Sequence, residues 1–497
     1  MLYTVDSQVQ TTLADYEAFS HLAPAVDTLR NAAREPVRAL DGRTVWMVNS
    51  TAQGGGVAEM LPKVIGLLRE LGVDARWVVI QPEEEQFFTL TKRLHNLLHG
   101  AGTPHVANDD AELYEAVSRR LANAFEPQIG PDDLVVVHDP QPAGMGALLQ
   151  QRLGARFVWR CHIGLDEQNA STRAAWDFLR PWLEAYDETV FSLPAYVPDF
   201  LQGEAEIIHP AIDPLSHKNR PLSPHKLAGV LSNAGLVGTA HPVVTPPFAT
   251  PALRLQPNGA FAPALHSEDL GLLFRPVVTQ VSRWDRLKGW APLLEAFVHL
   301  KRERFSKRDG LSDRDRRRLD LVRLVLAGPD PDSIQDDPEG LEVFQKICGL
   351  WLDLDPELQR DVAVVSLPMA SRKVNALMVN ALQRCSSIVA QNSLQEGFGL
   401  TVTEAMWKGC PVMGSRAAGI RAQLVDGETG RLVEAADPHA VAHTLGEMLR
   451  QPKQRTAWGR NATRRVYDHF LVFTQVRRWL EVLSAESVLR TDRAPAA

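Results

Sequence analysis

Several things are scarce in this chain of 497 residues. It has four cysteines, Cys161, Cys348, Cys385 and Cys410, scattered and without a CxxC spacing. That pattern fits neither a disulfide framework nor a cysteine-based zinc site, and it predicts free thiols in a reduced cytoplasm. No window approaches 18 uninterrupted apolar residues, so no membrane-spanning helix is expected. The first residues, MLYTVDSQVQTTLADYEAF, carry neither a basic start nor an apolar stretch of secretory type. Excess positive charge is absent too: the formal net charge is −7, which gives nucleic acid no support as a main partner. There is no HExxH and no clustered Cys/His set, so no metal site is expected. The only GxG-like turn near the start, Gly54-Gly55-Gly56, is not a GxGxxG dinucleotide fingerprint.

What remains is a soluble globular composition, long enough for two cores. Arg43 to Asn49 reads as a buried strand, the triple glycine as a turn, and Val57, Met60, Val64, Leu67 and Leu71 as one face of a helix. Ala75 to Ile80, Leu134 to His138, Arg156 to Arg160 and Thr189 to Leu193 continue the alternation. A second series of strands starts near Val277 and runs through Leu321–Ala327, Val362–Ser366, Ser387–Ala390 and Pro411–Gly414. Strands alternating with helices predict an α/β protein of two doubly wound, Rossmann-like domains, with ligands at the carboxyl ends of the strands. No internal repeat is visible beyond this rhythm.

The boundaries expected are 1–212 for a first domain with a helical extension over residues 1–41, then a linker over 213–275, then 276–465 for a second domain. Within the linker, 235–274 is Ala/Pro-rich, and its prolines argue against a regular helix or a central strand. Residues 301–318 hold nine basic and four acidic side chains and read as a solvated helix-loop-helix face.

The stretch 391–409, QNSLQEGFGLTVTEAMWKG, is where chemistry concentrates. Glu396 precedes a Gly397-Phe398-Gly399 turn, and Leu400 to Lys408 reads as a helix ending at Gly409. A helix opening at a glycine turn offers N–H groups and the positive end of its dipole to a phosphate. Eight residues of helix would part Glu396 from Glu404 by about 12 Å. That fits two contacts on an extended ligand better than a hydrolytic pair about 5 to 9.5 Å apart. The spacing alone is equally met by a loop acid followed by a helix-surface acid.

The wording E-G-F-G-L-T-V-T-E-A-M resembles the nucleotide-sugar signature of retaining glycosyltransferase family 4, which has the GT-B fold. WMVNSTAQGGGVAEML, VVVHDPQP, WRCHI, AIDPLSHKN and QVSRWDRLKG resemble the branch containing the trehalose-forming glycosyltransferases and the retaining trehalose phosphorylases. Together these matches span nearly the whole chain. The resemblance implies a cleft between the domains and a C-terminal helix, 466–497, returning to the first domain.

It also implies roles. Arg283 and Lys288, which by spacing alone are surface charges, match the pair that holds the donor diphosphate; an Arg fork and a Lys point charge suit that group. Glu396, with the Gly397, Phe398, Gly399 and Leu400 amides, would hold the transferred sugar, and Glu404 the ribose. Gly55 and Gly56 would meet the donor phosphates, and Gly54 the acceptor. His162, otherwise a packed strand-end histidine, would contact the sugar beside the reacting carbon. Asp139 and Gln141 either bind acceptor hydroxyls or only build a turn with Pro140 and Pro142.

The implied activity is transfer of glucose from a nucleoside-diphosphate glucose, such as ADP-glucose or UDP-glucose, to glucose, with no metal or other cofactor. Phosphorolysis of trehalose, another small acceptor such as a polyol or glycerate, and a catalytically silent sugar sensor are the alternatives. Sugars and nucleotide-sugars are the partners expected, without nucleic acid or membrane, and a homodimer is left open.

Overall fold

The computed structural model describes residues 1–6, 11–52, 55–238, 247–306, 311–333 and 338–485. Gly54, expected at the acceptor, lies outside the described residues, as do 239–246 of the Ala/Pro-rich stretch and 307–310 of the basic one. The chain forms two compact units, Met1–Ala211 with the chain from Val472 onward, and Ile212–Leu471.

The first unit is built on seven strands: β1 (Leu2–Val5), β2 (Thr44–Asn49), β3 (Asp74–Ile80), β4 (Leu134–His138), β5 (Arg156–Cys161), β6 (Glu188–Phe191) and β7 (Ala205–Ile207). They lie in the order β1-β3-β2-β4-β5-β6-β7, parallel except for β1. Every residue of β4 is buried, as expected of a central strand covered on both faces. The chain winds outward one way from β2 to β3 and the other way from β4 to β7. The switch point therefore falls between β2 and β4, where ligands bind in such sheets.

The mostly helical extension expected over residues 1–41 also carries a strand. Residues 2–5 add an antiparallel edge to β3, and only then come helices Leu13–Glu17 and Ala23–Ala39. Helix Val472–Ser484 packs on Ala23–Ala39, with Trp479 buried and Phe473 edge-on to Tyr16 at 4.9 Å. Arg156 donates to the Val482 carbonyl at 2.8 Å, closing the last turn of that helix onto β5.

The second unit carries β8 (Leu253–Leu255), β9 (Phe261–Ala262), β10 (Val277–Val281), β11 (Arg323–Pro329), β12 (Val362–Leu367), β13 (Ile388–Gln391), β14 (Val412–Ser415) and β15 (Gly430–Val433). Their order is β15-β14-β13-β10-β11-β12-β8-β9. Here the switch point lies between β10 and β13. The stretch 213–275 is not a bare linker. It supplies helix Pro224–Asn233 and an antiparallel hairpin, β8–β9, on the edge of β12. Leu231, Leu236, Ala252, Leu270 and Leu272 pack in one core with Val325, Val365 and Leu382. Its prolines confine it to the edge, since a central strand would lose ladder hydrogen bonds at each one. The unit ends later than residue 465, because helix Pro452–His469 belongs to it whole, anchored by buried Trp458.

Within the basic stretch, helices Trp290–Ser306 and Asp313–Leu321 flank the undescribed residues. Lys301 departs from the solvated face expected. It is 2 % exposed, 2.7 Å from Asp361, and donates to the Asp320 carbonyl. A buried ammonium requires such partners.

Candidate active site

In the first unit the ends of β2, β4 and β5 carry the residues singled out. After β2, helix Gly55–Glu70 begins, and a side chain added at Gly56 would meet no described atom within 4 Å. Packing therefore does not demand glycine there. After β4 comes Asp139, the only non-glycine among the described residues with a left-handed backbone, φ +64°. Such a conformation costs an L-residue about 1–2 kcal/mol, least for Asp and Asn. It is held from three sides. Asp139 N–H donates to the Arg160 carbonyl at 2.8 Å, its carbonyl accepts from Trp159 Nε1 at 3.1 Å, and its Oδ1 accepts from His162 N–H at 2.8 Å. Backbone strain gathered at a strand end is a mark of function.

Beneath Asp139 lies fully buried Arg160, donating to the Ile208 carbonyl at 2.7 Å and to Ser192 Oγ at 3.1 Å. Burial lowers its pKa to about 10, with Cys161 and Asp139 opposing. Burial likewise raises the Asp139 carboxyl to about 6, against the His162 N–H and the Arg160 charge. His138 Nδ1 and His162 Nε2 are 2.9 Å apart with their rings 12° from parallel. Burial, and next the Arg160 charge, bring His138 down to about 3 and His162 well below the usual range. Both rings are thus neutral near pH 7 and share one N–H, so each sets the other's tautomer. His138 sits in the motif VVVHDPQP, and nothing in that motif foretells its pairing with His162.

The turn after Asp139 is fixed by two buried tyrosines. Tyr114 donates to the Pro140 carbonyl at 2.6 Å and accepts from Gly144 N–H at 3.0 Å, while Tyr186 donates to the Ala143 carbonyl at 2.6 Å. Gln141 follows, and its Oε1 is buried without a hydrogen-bond partner among the described residues.

In the second unit, buried Gln280 on β10 clips two loops together. It donates to the Lys288 carbonyl at 2.8 Å and accepts from Asn392 N–H at 2.9 Å. This brings Lys288 and Glu396 together, with Lys288 Nζ at 2.9 Å from both carboxylate oxygens. Ser393 Oγ and Gln391 Nε2 also donate to Glu396 Oε2, at 2.8 and 3.2 Å. The pair is 14 % and 11 % exposed, so water and salt screen it less than a surface ion pair. Arg283 does not join it: the guanidinium is 68 % exposed, with Asp285 as its ion-pair partner at 3.7 Å.

Gly399 caps helix Leu400–Trp407 at φ +80°, and a side chain there would lie 2.8 Å from Glu396 Cγ. The turn rests on Gly419, where an added Cβ would meet the Glu396 and Gly397 carbonyls and Phe398 Cα at 2.5–2.7 Å. Buried Gln423 donates to the Phe398, Gly399 and Gly419 carbonyls. One turn into the helix, Glu404 is buried, with Lys218 Nζ 3.8 Å from its Oε1. Lys408, at the end of this helix, donates to the Glu404 carbonyl at 2.9 Å.

Residues 47–198 match the family model described as "Trehalose synthase, N-terminal domain", and residues 370–465 that for "Glycosyl transferases group 1". The trehalose synthase of Pyrococcus horikoshii is 35 % identical over 454 residues, 91 % of this chain and 92 % of the relative. The chain belongs to the trehalose synthase family. A family member of this kind is a glycosyltransferase. The chain is also similar to the trehalose phosphorylase of Pleurotus pulmonarius, 27 % identical over 81 % of this chain and 52 % of that protein. The fold is GT-B. A UDP-forming α,α-trehalose-phosphate synthase from Burkholderia xenovorans superposes with a TM-score of 0.61 at 14 % identity, over 89 % of this chain and all of that one. The trehalose synthase match holds Asp139, Gln141 and His162; the second match holds Glu396 and Glu404 but neither Arg283 nor Lys288.

Among the described residues no group of three His, Cys, Asp or Glu side chains could hold a metal ion, and no helix is long and apolar enough to cross a membrane. All four cysteines are unbridged.

Proposed function

We propose that the protein transfers glucose from a nucleoside-diphosphate glucose to free glucose with retention, forming α,α-trehalose. The observation that carries this is the Lys288–Glu396 pair at the strand switch point, followed within one helix by buried Glu404. In this reading the pair supplies a cation and a sugar-binding carboxylate, and Glu404 a ribose-binding one, to a single extended ligand. The 35 % identity to a trehalose synthase supports the acceptor.

In this reading Glu404 accepts hydrogen bonds from the ribose hydroxyls, and Glu396 and the 397–400 amides bind the sugar. Lys288 and Arg283 balance the diphosphate as its bond to the anomeric carbon breaks. Arg283, exposed beside Asp285, would contribute its guanidinium to the diphosphate. Asp139 and Gln141 hold the acceptor, with neutral His162 beside the transferred sugar. The departing phosphate oxygen takes the acceptor's hydroxyl proton as the new C–O bond forms on the same face, so no protein nucleophile is needed.

Phosphorolysis of trehalose is the second reading, favoured by the likeness to the Pleurotus enzyme. Incubation with glucose and each nucleoside-diphosphate glucose in turn separates the two. Trehalose and free nucleoside diphosphate are expected in equal amounts. Glucose 1-phosphate made from trehalose and phosphate, without turnover of any nucleotide-sugar, would install the phosphorylase instead.

A further inference from the structure

The motif AIDPLSHKN, residues 211–219, has no role in the reading above, although the structure ties it closely to Glu404. Asn219 is buried, and its Nδ2 donates within its own loop, to the Asp213 carbonyl and Ser216 Oγ, both at 3.0 Å. Helix Arg372–Cys385 holds the same loop from outside. Asn380 Nδ2 donates to the His217 and Arg220 carbonyls at 2.9 and 3.0 Å, and Arg384 Nη2 to the Asn219 and Arg220 carbonyls at 3.3 and 3.1 Å. The consequence is that Lys218 reaches Glu404, one ammonium facing one carboxylate.

Lys408 joins these parts. Its Nζ has three acceptors on three separate segments: Gln383 Oε1 at 2.8 Å, the Glu404 carbonyl at 2.9 Å and Asn219 Oδ1 at 3.2 Å. An ammonium has three N–H donors, so the protonated form fills all three; a neutral amine has two and must leave one acceptor unpaired. Losing a hydrogen bond to a buried acceptor costs more than the bond itself contributed.

We propose that Lys408 is a positioning residue of the nucleotide subsite, which in its protonated form locks the Glu404 helix to the 213–220 loop so that Glu404 and Lys218 meet the nucleotide together. The inference rests on the reading of Glu404 as the ribose ligand. Charged or titratable groups face Lys408 from each neighbouring element: Glu404 on its own helix, Cys410 beyond it, Arg384 from helix Arg372–Cys385 and Lys218 from the loop. Burial outweighs the Glu404 and Cys410 charges and lowers the ammonium to about 7. Nucleotide affinity should therefore weaken as pH rises through neutrality.

The test is titration calorimetry of the full chain with UDP and with ADP between about pH 6 and about pH 8. For the unaltered protein the better-bound nucleotide is expected to lose several-fold in affinity across that range. Lys408→Met should bind about tenfold more weakly at the lower pH and show no such slope, while kcat at saturating donor stays within about threefold. Gln383→Glu places a carboxylate on Lys408, so the slope should move to higher pH; this variant decides the matter if Lys408→Met does not fold. Unaltered affinity and slope in folded Lys408→Met, or an unmoved slope in Gln383→Glu, would overturn the role of Lys408 alone. Failure of the unaltered protein to bind either nucleotide at any pH would overturn the donor reading together with it.

Discussion

Arg283 and Lys288 carry the same expectation but stand in different surroundings, and that difference makes them separable. Arg283 is exposed, so Arg283→Ala should leave the melting temperature almost unchanged. If the guanidinium balances the leaving diphosphate, kcat/KM should still fall by roughly 30-fold, about 2 kcal/mol. An unaltered kcat/KM in steady-state assays would remove Arg283 from the chemistry. Lys288 is a structural partner as well. Lys288→Met takes the ammonium from partly buried Glu396, to which Ser393 and Gln391 still donate, so both stability and turnover should drop.

His138 gives a prediction in pH. Its folded pKa, about 3, lies far below the usual value, so the unfolded chain binds the extra proton between about pH 6.5 and pH 3. Stability from this group is present above that window and is lost as pH falls through it. His138→Phe should flatten the decline in melting temperature between about pH 6.5 and pH 4 relative to the unaltered protein. An equal decline in both proteins would show that the ring does not titrate this way.

At the scale of the element, the Glu396–Gly399 turn is the test piece. Gly399 has positive φ and almost touches Glu396, so Gly399→Ala should cost about 1–2 kcal/mol of stability and disturb the carboxylate. Gly397 has no described atom within 4 Å of an added Cβ. Gly397→Ala should therefore keep the melting temperature and raise the donor KM, since a methyl group would intrude only on a ligand. A donor KM unchanged by Gly397→Ala would place the sugar elsewhere.

This turn also shows how much the sequence discloses. Its glycines, its helix and both glutamates were legible, because backbone freedom and helix stop signals are local. β4, β10 and β12 were legible for the same reason, as short apolar runs between turns. The Lys288–Glu396 ion pair is not legible in the sequence, for it spans 108 positions and depends on Gln280 holding two loops. The pairing of His138 with His162 and the three-way grip of Lys408 are likewise products of strand order and helix packing. The β8–β9 hairpin was missed because edge strands of two or three residues leave little pattern, and their prolines point away from sheet. β1 is hidden for a similar reason: its middle residues, Tyr3 and Thr4, are exposed, so no buried run marks it.

On the scale of the whole molecule, each unit has its own switch point, and the residues expected to bind ligand fall on both. The chain passes from the first unit to the second after Ala211 and returns at Val472, so the last helix completes the unit that the first residues began. Trp479 is that helix's buried anchor, and Trp479→Ala should cost roughly 3–5 kcal/mol in chemical denaturation. A loss below about 1 kcal/mol would mean the helix is not part of that core.

The most direct measurement is a crystal structure with a non-transferable nucleoside-diphosphate glucose analogue bound. The ribose hydroxyls should lie within hydrogen-bond distance of Glu404, the diphosphate against Lys288 and Arg283, and the sugar against Glu396 and the 397–400 amides. A nucleotide-sugar bound away from these four side chains would contradict the assignment of the donor site.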